Sequence, residues 1–100
     1  MNENIVYKYK TQSSAKFRKH LILAEKRRKG SAAKVLEAVE ILARGEHLPE
    51  RYHDHALTGN YVGHRECHIM PDLLLIYRIY ENILILELVD TGSHSDLFKK

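Results

Sequence analysis

His64-Arg-Glu-Cys-His-Ile-Met-Pro-Asp-Leu-Leu-Leu-Ile-Tyr-Arg-Ile-Tyr-Glu-Asn-Ile-Leu-Ile-Leu-Glu-Leu-Val89 decides the fold. Residues 64–70 read as a strand. Its period of two puts His64, Glu66 and His68 on one face and Arg65, Cys67 and Ile69 on the other. Cys67 and Ile69 are the evident core pair, so the three ionisable side chains project together away from that core. Pro71-Asp72 breaks the run. Residues 73–80 are rich in β-branched and aromatic side chains and form a second strand, buried at its start. Glu81-Asn82 is a short hairpin turn, with Asn82 available for a positive φ. Residues 83–89 are apolar on both faces and form a central strand. Three strands joined by short turns make an antiparallel meander.

Working back from it, residues 46–62 carry Pro49, Gly59 and scattered polar side chains and read as a long loop. Connections of this length in compact domains often carry function. Before the loop, Val35, Val39 and Leu42, flanked by Leu36 and Ile41, recur at helical spacing. Ser31 is placed to cap this helix and Gly45 to end it. Lys34 stands where a capping box needs Glu or Gln. Phe17, Leu21 and Ala24 define an earlier helix that runs to about Arg28, with N-cap candidates at Thr11 to Ser14 and Gly30 beyond its end. Two helices with so tight a link pair as a hairpin. Residues 4–10 read as a first strand. Beyond the meander, Thr91-Gly92 breaks the last strand, and Ser93 can cap one helical turn through His94, Leu97 and Phe98.

Strands and helices segregate along the chain, which predicts a single α+β domain over residues 1–100. It has an N-terminal strand, then an antiparallel helical hairpin packed on one face of a mainly antiparallel sheet. The meander and a short C-terminal helical turn complete it, and Glu66 and His68 are left on the opposite sheet face.

With 100 residues, 44% hydrophobic and 29% charged, the chain suits one soluble globular domain rather than a disordered segment. Its longest apolar run, Leu73 to Tyr77, is far too short to span a bilayer. Residues 1–7 show no basic region followed by an apolar one, so no signal peptide is expected. Cys67 is the sole cysteine, which excludes an internal disulfide and fits a reducing cytoplasm. The net charge of +3 is unevenly spread. Residues 16–29 hold Lys16, Arg18, Lys19, Lys26, Arg27, Arg28 and Lys29 against Glu25 alone, a charge of +6 that leaves −3 on the rest. Such a block suits a polyanionic partner, or a solvated helix face with its last cations near a helix C-terminus.

Four of the seven histidines, His53, His55, His64 and His68, fall within residues 53–72, among Asp54, Glu66 and Asp72. Histidine trades protons near neutral pH, so this is the place to look for acid–base chemistry. His53, His55, Glu66 and His68 also supply N and O donors suited to zinc or another transition metal, though at no recognised metal spacing. The reading adopted needs no metal and no cofactor.

Four ordered stretches, Asp54-His-Ala-Leu-Thr-Gly59, Arg65-Glu-Cys-His-Ile-Met-Pro-Asp72, Leu74-Leu-Ile-Tyr77 and Thr91-Gly-Ser-His-Ser-Asp-Leu-Phe98, resemble the YafQ branch of the RelE/ParE toxin superfamily. The N-terminal half resembles it only in layout and basic character. The resemblance implies a bacterial, cytoplasmic type II toxin: a ribosome-dependent mRNA endoribonuclease that acts in the A site of the 70S ribosome. It further implies a cognate antitoxin, with a monomeric free toxin and a heterotetramer or larger complex. Motif by motif it carries functional roles to His55, His68, Asp72 and His94. Glu66 falls at a position where relatives carry an acid, Phe98 falls at the family's C-terminal aromatic, and both are assigned to RNA binding. Leu73 stands where the family often has Trp, so no base-stacking role is carried to that position. His53 and His64 receive none.

Metal-independent RNA cleavage uses the neighbouring 2′-hydroxyl as nucleophile. It needs a base near that hydroxyl, an acid near the leaving 5′-oxygen, and positive charge on the phosphate. His68 and His94 are assigned to proton transfer and His55 to the phosphate. Asp72 orients a histidine or moves a proton itself, and Phe98 stacks on or walls off a base. Lys16, Lys19, Lys26, Arg27 and Arg28 are assigned to RNA phosphates. Two rivals keep the fold. A ParE-like DNA gyrase inhibitor needs no acid–base residues, and a non-catalytic RNA-binding module needs only the basic helix. Alanine at His68 and His94 separates the first from the nuclease.

Overall fold

A computed structural model describes residues 5–98. The order is β1 (Lys10–Ser13), α1 (Ala15–Arg27), α2 (Ser31–Ala43), β2 (His55–Ala56), β3 (Arg65–Met70), β4 (Leu73–Tyr80), β5 (Ile85–Gly92) and α3 (His94–Leu97). They form one five-stranded sheet in the order β1-β5-β4-β3-β2. β1 runs parallel to β5 and every other pairing is antiparallel. The expected α+β architecture and meander are present.

The helical hairpin covers one face. Phe17, Ala24, Val35, Ala38 and Leu42 pack there against Cys67, Leu75, Tyr77, Leu86 and Leu88. Burial pushes the Cys67 thiol up to about 12, so it is an inert core group rather than a nucleophile. A second, smaller cluster lies on the other face, where Leu74, Ile76 and Leu97 meet Leu57, Tyr61, Val89 and Phe98. This face carries α3 and the 57–64 turn and leaves room for chemistry.

Several local expectations are corrected. The first strand is not residues 4–10: residue 4 lies outside the described residues, and the N–H groups of Lys8 and Tyr9 both donate to the Ala43 carbonyl at the end of α2. Pairing begins at Lys10, opposite Ile85, so an edge of polar residues replaces the apolar Ile5–Tyr9 run. Ser14 is the N-cap of α1, its Oγ accepting from the Phe17 N–H at 2.9 Å. Ser31 does not cap α2 but is its first residue, and Gly30 at φ 95° precedes it. The cap comes from Glu25 of α1, whose carboxylate accepts from the N–H of Gly30 and Ala32 at 3.0 and 2.9 Å. Those two bonds hold its carboxyl below the usual range.

The 46–62 loop is more ordered than its composition suggests. It contains single turns of 3-10 helix at Glu50–Tyr52 and Gly59–Tyr61, and β2 between them. The β4–β5 turn spans residues 81–84 and takes its positive φ at Leu84 (54°), not at Asn82. Thr91-Gly92 does not break β5. Gly92 still pairs with Leu74, and the Thr91 hydroxyl donates to the Leu74 carbonyl at 2.6 Å. Among the described residues no helix is long and apolar enough to cross a membrane.

Candidate active site

β3 supplies the first two groups of the site. Glu66 and His68 alternate with Cys67 and Ile69, so the latter pair enters the core while the former faces outward. Glu66 does not project freely, however: it is 5% exposed. It is covered by β2, which pairs His55 directly opposite Glu66. Cross-strand partners share a sheet face, and the His55 Nε2 comes to 3.3 Å from the Glu66 Oε1. The same oxygen lies 3.9 Å from the His68 Nε2. The other oxygen, Oε2, is buried with no hydrogen-bond partner among the described residues.

The segment carrying His55 is held from behind. The Tyr77 hydroxyl donates to Asp54 at 2.6 Å, and the Arg65 guanidinium donates to the same carboxylate at 3.2 Å. Burial and that carboxylate raise the Tyr77 phenol. Backbone geometry adds to the hold, with His53 at φ 47°. Its carbonyl lies 2.8 Å from the His55 Nδ1. A carbonyl only accepts, so Nδ1 carries a hydrogen and Nε2 faces the carboxylate.

α3 supplies the third histidine. Ser93 caps it in a reciprocal box with Asp96, and Arg27 of α1 grips Asp96 through two nitrogens at 2.7 and 3.3 Å. The guanidinium, with the bonds from Ser93, holds the Asp96 carboxyl down at about 2. Gly92, at φ 150°, is required beside it, because a Cβ there would come to 2.8 Å from Asp96. This clamp aims His94 at the strand residues: its ring centre lies 6.4 Å from that of His68. The His55 ring lies 6.1 Å from His68, and the Phe98 ring 6.2 Å from His94.

The predicted residues thus divide. His55, Glu66, His68, His94 and Phe98 converge. Asp72 is exposed on the β3–β4 turn and makes no hydrogen bond to a histidine among the described residues. It lines a neighbouring cavity of about 190 Å³ with Arg27, Arg28, Ser93 and Asp96. Of the predicted basic contacts, Arg27 is engaged with Asp96, and Lys16 lies 3.4 Å from the buried Asp90. Lys19, Lys26 and Arg28 are exposed and outside the ion pairs of the described residues. Tyr61 carries no signal in the sequence, and His53 receives no catalytic role there. The His53 ring lies 5.7 Å from His68, and Tyr61 meets Phe98 at 5.7 Å. The missed signal is β2: once two residues of the loop pair with β3, their neighbours are drawn to the same face.

His55, Glu66 and His68 also offer one donor each within 4.8 Å of one another. Two imidazole nitrogens and a carboxylate oxygen, with Nδ1 of one ring tied to a carbonyl, fit a transition-metal site.

The chain matches, over residues 9–99, the family described as the bacterial toxin of type II toxin-antitoxin system, YafQ. It is 34% identical over 85 residues to an mRNA interferase toxin YafQ of Escherichia coli, covering 85% of this chain and 90% of the relative. Among solved structures it resembles the E. coli DinJ-YafQ complex, with a TM-score of 0.80 and 33% identity over 90% of this chain and 98% of that one. It also resembles a metal-bound toxin from Helicobacter pylori, with a TM-score of 0.82 and 39% identity over 90% of this chain and 99% of that one.

Proposed function

Since the chain belongs to the YafQ family of bacterial type II toxins, we propose that it is a ribosome-dependent mRNA endoribonuclease using His68, His94 and His55. The observation that carries this reading is the convergence of three histidines, from β2, β3 and α3, two of them on one buried carboxylate, on the open face of the sheet.

One histidine of the His68–His94 pair takes the proton from the 2′-hydroxyl as its oxygen attacks phosphorus. The other gives a proton to the departing 5′-oxygen. The products are a 2′,3′-cyclic phosphate and a 5′-hydroxyl, with atoms and charge balanced. His55, oriented by Glu66 and the His53 carbonyl, holds the phosphate as charge builds on it. Glu66 fixes two rings at once and is a positioning residue. Asp72 acts from the cavity beside the Arg27–Asp96 clamp, by tuning a histidine or moving a proton. Lys19, Lys26 and Arg28, with Lys16 and Arg27 at their edges, contact RNA phosphates. The partner in the cell is an antitoxin, as DinJ is for the E. coli relative.

The test is mRNA cleavage on programmed 70S ribosomes, mapped by primer extension. Discrete A-site cuts that vanish in His68→Ala and His94→Ala support the reading. No cleavage from folded protein that is still toxic in cells would overturn it and move gyrase forward.

A second reading rests on the same donors. The H. pylori relative binds metal, and we infer that His55, Glu66 and His68 take up a transition metal here as well. The metal would occupy lone pairs that proton transfer uses, so it inhibits rather than assists. Cleavage should then persist in chelator and fall with added copper or zinc.

A further inference from the structure

The 57–64 turn is left unused by that mechanism, yet it is built with care. Its ends are closed by the Leu57 N–H donating to the His64 carbonyl at 2.9 Å, and the Tyr61 N–H donates to the Thr58 carbonyl within it. The turn presents Tyr61, whose ring lies 5.7 Å from Phe98 on one side and 5.7 Å from His64 on the other, edge-on in both cases. Phe98 in turn meets His94. The rings therefore run without a break from the proton-transfer histidines to Tyr61 and His64.

This string is more than a patch of core. Tyr61, His64 and Phe98 are all half-buried, and the Tyr61 hydroxyl has no hydrogen bond among the described residues. Edge-to-face contacts leave ring faces uncovered that a stacked pair would hide. A cation stands beside the turn as well. Arg78 follows Leu74 and Ile76 along the same face of β4. A Cβ at Gly63 would come to 3.5 Å from its guanidinium carbon. Arg78 is half-buried, lies over the Tyr80 ring, and has no carboxylate partner among the described residues.

We propose that Tyr61 and His64, together with Phe98 and Arg78, form a nucleobase subsite next to the scissile phosphate. It takes one unpaired base of the RNA against the aromatic rings and the adjoining phosphate on Arg78. The proposal rests on the endoribonuclease reading for its ligand. Aromatic rings on a rigid turn, with a guanidinium at the edge, are what single-stranded RNA binding requires. A protein ligand would not need the cation to lie one residue from the rings.

The test is binding of a labelled pentanucleotide carrying 2′-O-methyl groups throughout, which cannot be cleaved. Fluorescence anisotropy follows wild type, Tyr61→Leu, Tyr61→Phe and Arg78→Gln. Leucine should weaken binding by about 5- to 100-fold, the loss of one stacked base, while phenylalanine keeps it. Arg78→Gln should lower the slope of log affinity against log salt by about 0.7, one phosphate contact on a single strand. An abasic scan with the wild-type protein needs no variant to fold, and one abasic position should lose as much affinity as Tyr61→Leu. Equal affinity at every abasic position, unchanged binding by folded Tyr61→Leu, or no saturable binding to wild type would each overturn the subsite. Ribosomal cleavage by wild type is scored separately, so loss of the nuclease reading and loss of the subsite stay distinguishable.

Discussion

Asp90 and Glu66 are both buried carboxylates with histidine beside them, on β5 and β3 of the same sheet. Asp90 looks toward α1. His20 Nδ1 lies 2.6 Å from it, Lys16 3.4 Å, and it accepts from the Thr91 N–H at 2.8 Å. Glu66 looks outward, its two histidine contacts are longer at 3.3 and 3.9 Å, and no backbone N–H among the described residues serves it. The first anion is closed in by short bonds under a helix. The second is loosely held beneath rings that solvent and substrate can reach. A His–carboxylate pair is therefore not a site by composition; what distinguishes one is slack in the contacts and an open side. The structural pair should govern stability, and the loose one should govern activity.

The largest effect should be on rate. His68→Ala and His94→Ala should each lower ribosomal cleavage by about 10²- to 10⁴-fold, the usual worth of a positioned acid or base. Their thermal midpoints should move little, because both rings lie at the surface. His20→Ala should do the reverse. If His20→Ala abolished cleavage in stable protein, the comparison would break.

Exchanging the carboxylates sharpens the point. Asp90→Ala removes the partner of His20, Lys16 and the Thr91 N–H at once and should cost about 3 kcal/mol in urea unfolding. Glu66→Gln keeps the volume and should change stability by less than about 1 kcal/mol, since its oxygens have so few bonds to lose. It should nonetheless depress cleavage, because His55 and His68 lose the anion that sets them. A large stability loss in Glu66→Gln would mean that both carboxylates are structural.

The sequence showed the open site far better than the closed one. Period two along residues 64–70 separated Glu66 and His68 from Cys67 and Ile69, and that separation survives intact. The motif resemblance pointed to His55, His94 and Phe98, which do converge. Asp90 carried no signal, since an acid at the end of an apolar run reads as an edge. Only the packing of α1 on β5 encloses it. The same limit hid β2 and displaced β1. Their residues are short or polar, and their strand state comes from partners far along the chain, His55 with Glu66 and Lys10 with Ile85. In the sequence, nothing distinguishes one cation of the basic helix from another. Folding instead engages Arg27 and Lys16 with Asp96 and Asp90, acids about seventy residues away.

Metal titration probes the slack directly. Zinc or copper at 100 times its dissociation constant should stabilise the wild type by about 2.7 kcal/mol through mass action. The midpoint of His55→Ala should not respond. Asp90 and His20 should contribute nothing, because their atoms already bond to one another. A metal-dependent shift that survives His55→Ala and His68→Ala but is lost in His20→Ala would place the ion at the wrong carboxylate.

The smallest effect concerns the clamp that aims His94. Arg27 holds the Asp96 carboxyl at about 2 against an ordinary 3.8. A depressed carboxylate adds stability that is fully present above its unfolded value and lost as pH falls through its folded one. The contribution should therefore be constant from neutral pH to about 4 and fade toward pH 2. Arg27 is exposed, so solvent screening keeps the contribution small. Acid titrations of wild type and Arg27→Gln should run apart at pH 7 and converge near pH 2. Because the clamp sits on the turn that carries His94, Arg27→Gln should also slow cleavage at pH 7, where its stability loss is too small to unfold the protein. Equal cleavage by the two proteins would rule out both the aiming clamp and an RNA contact by Arg27.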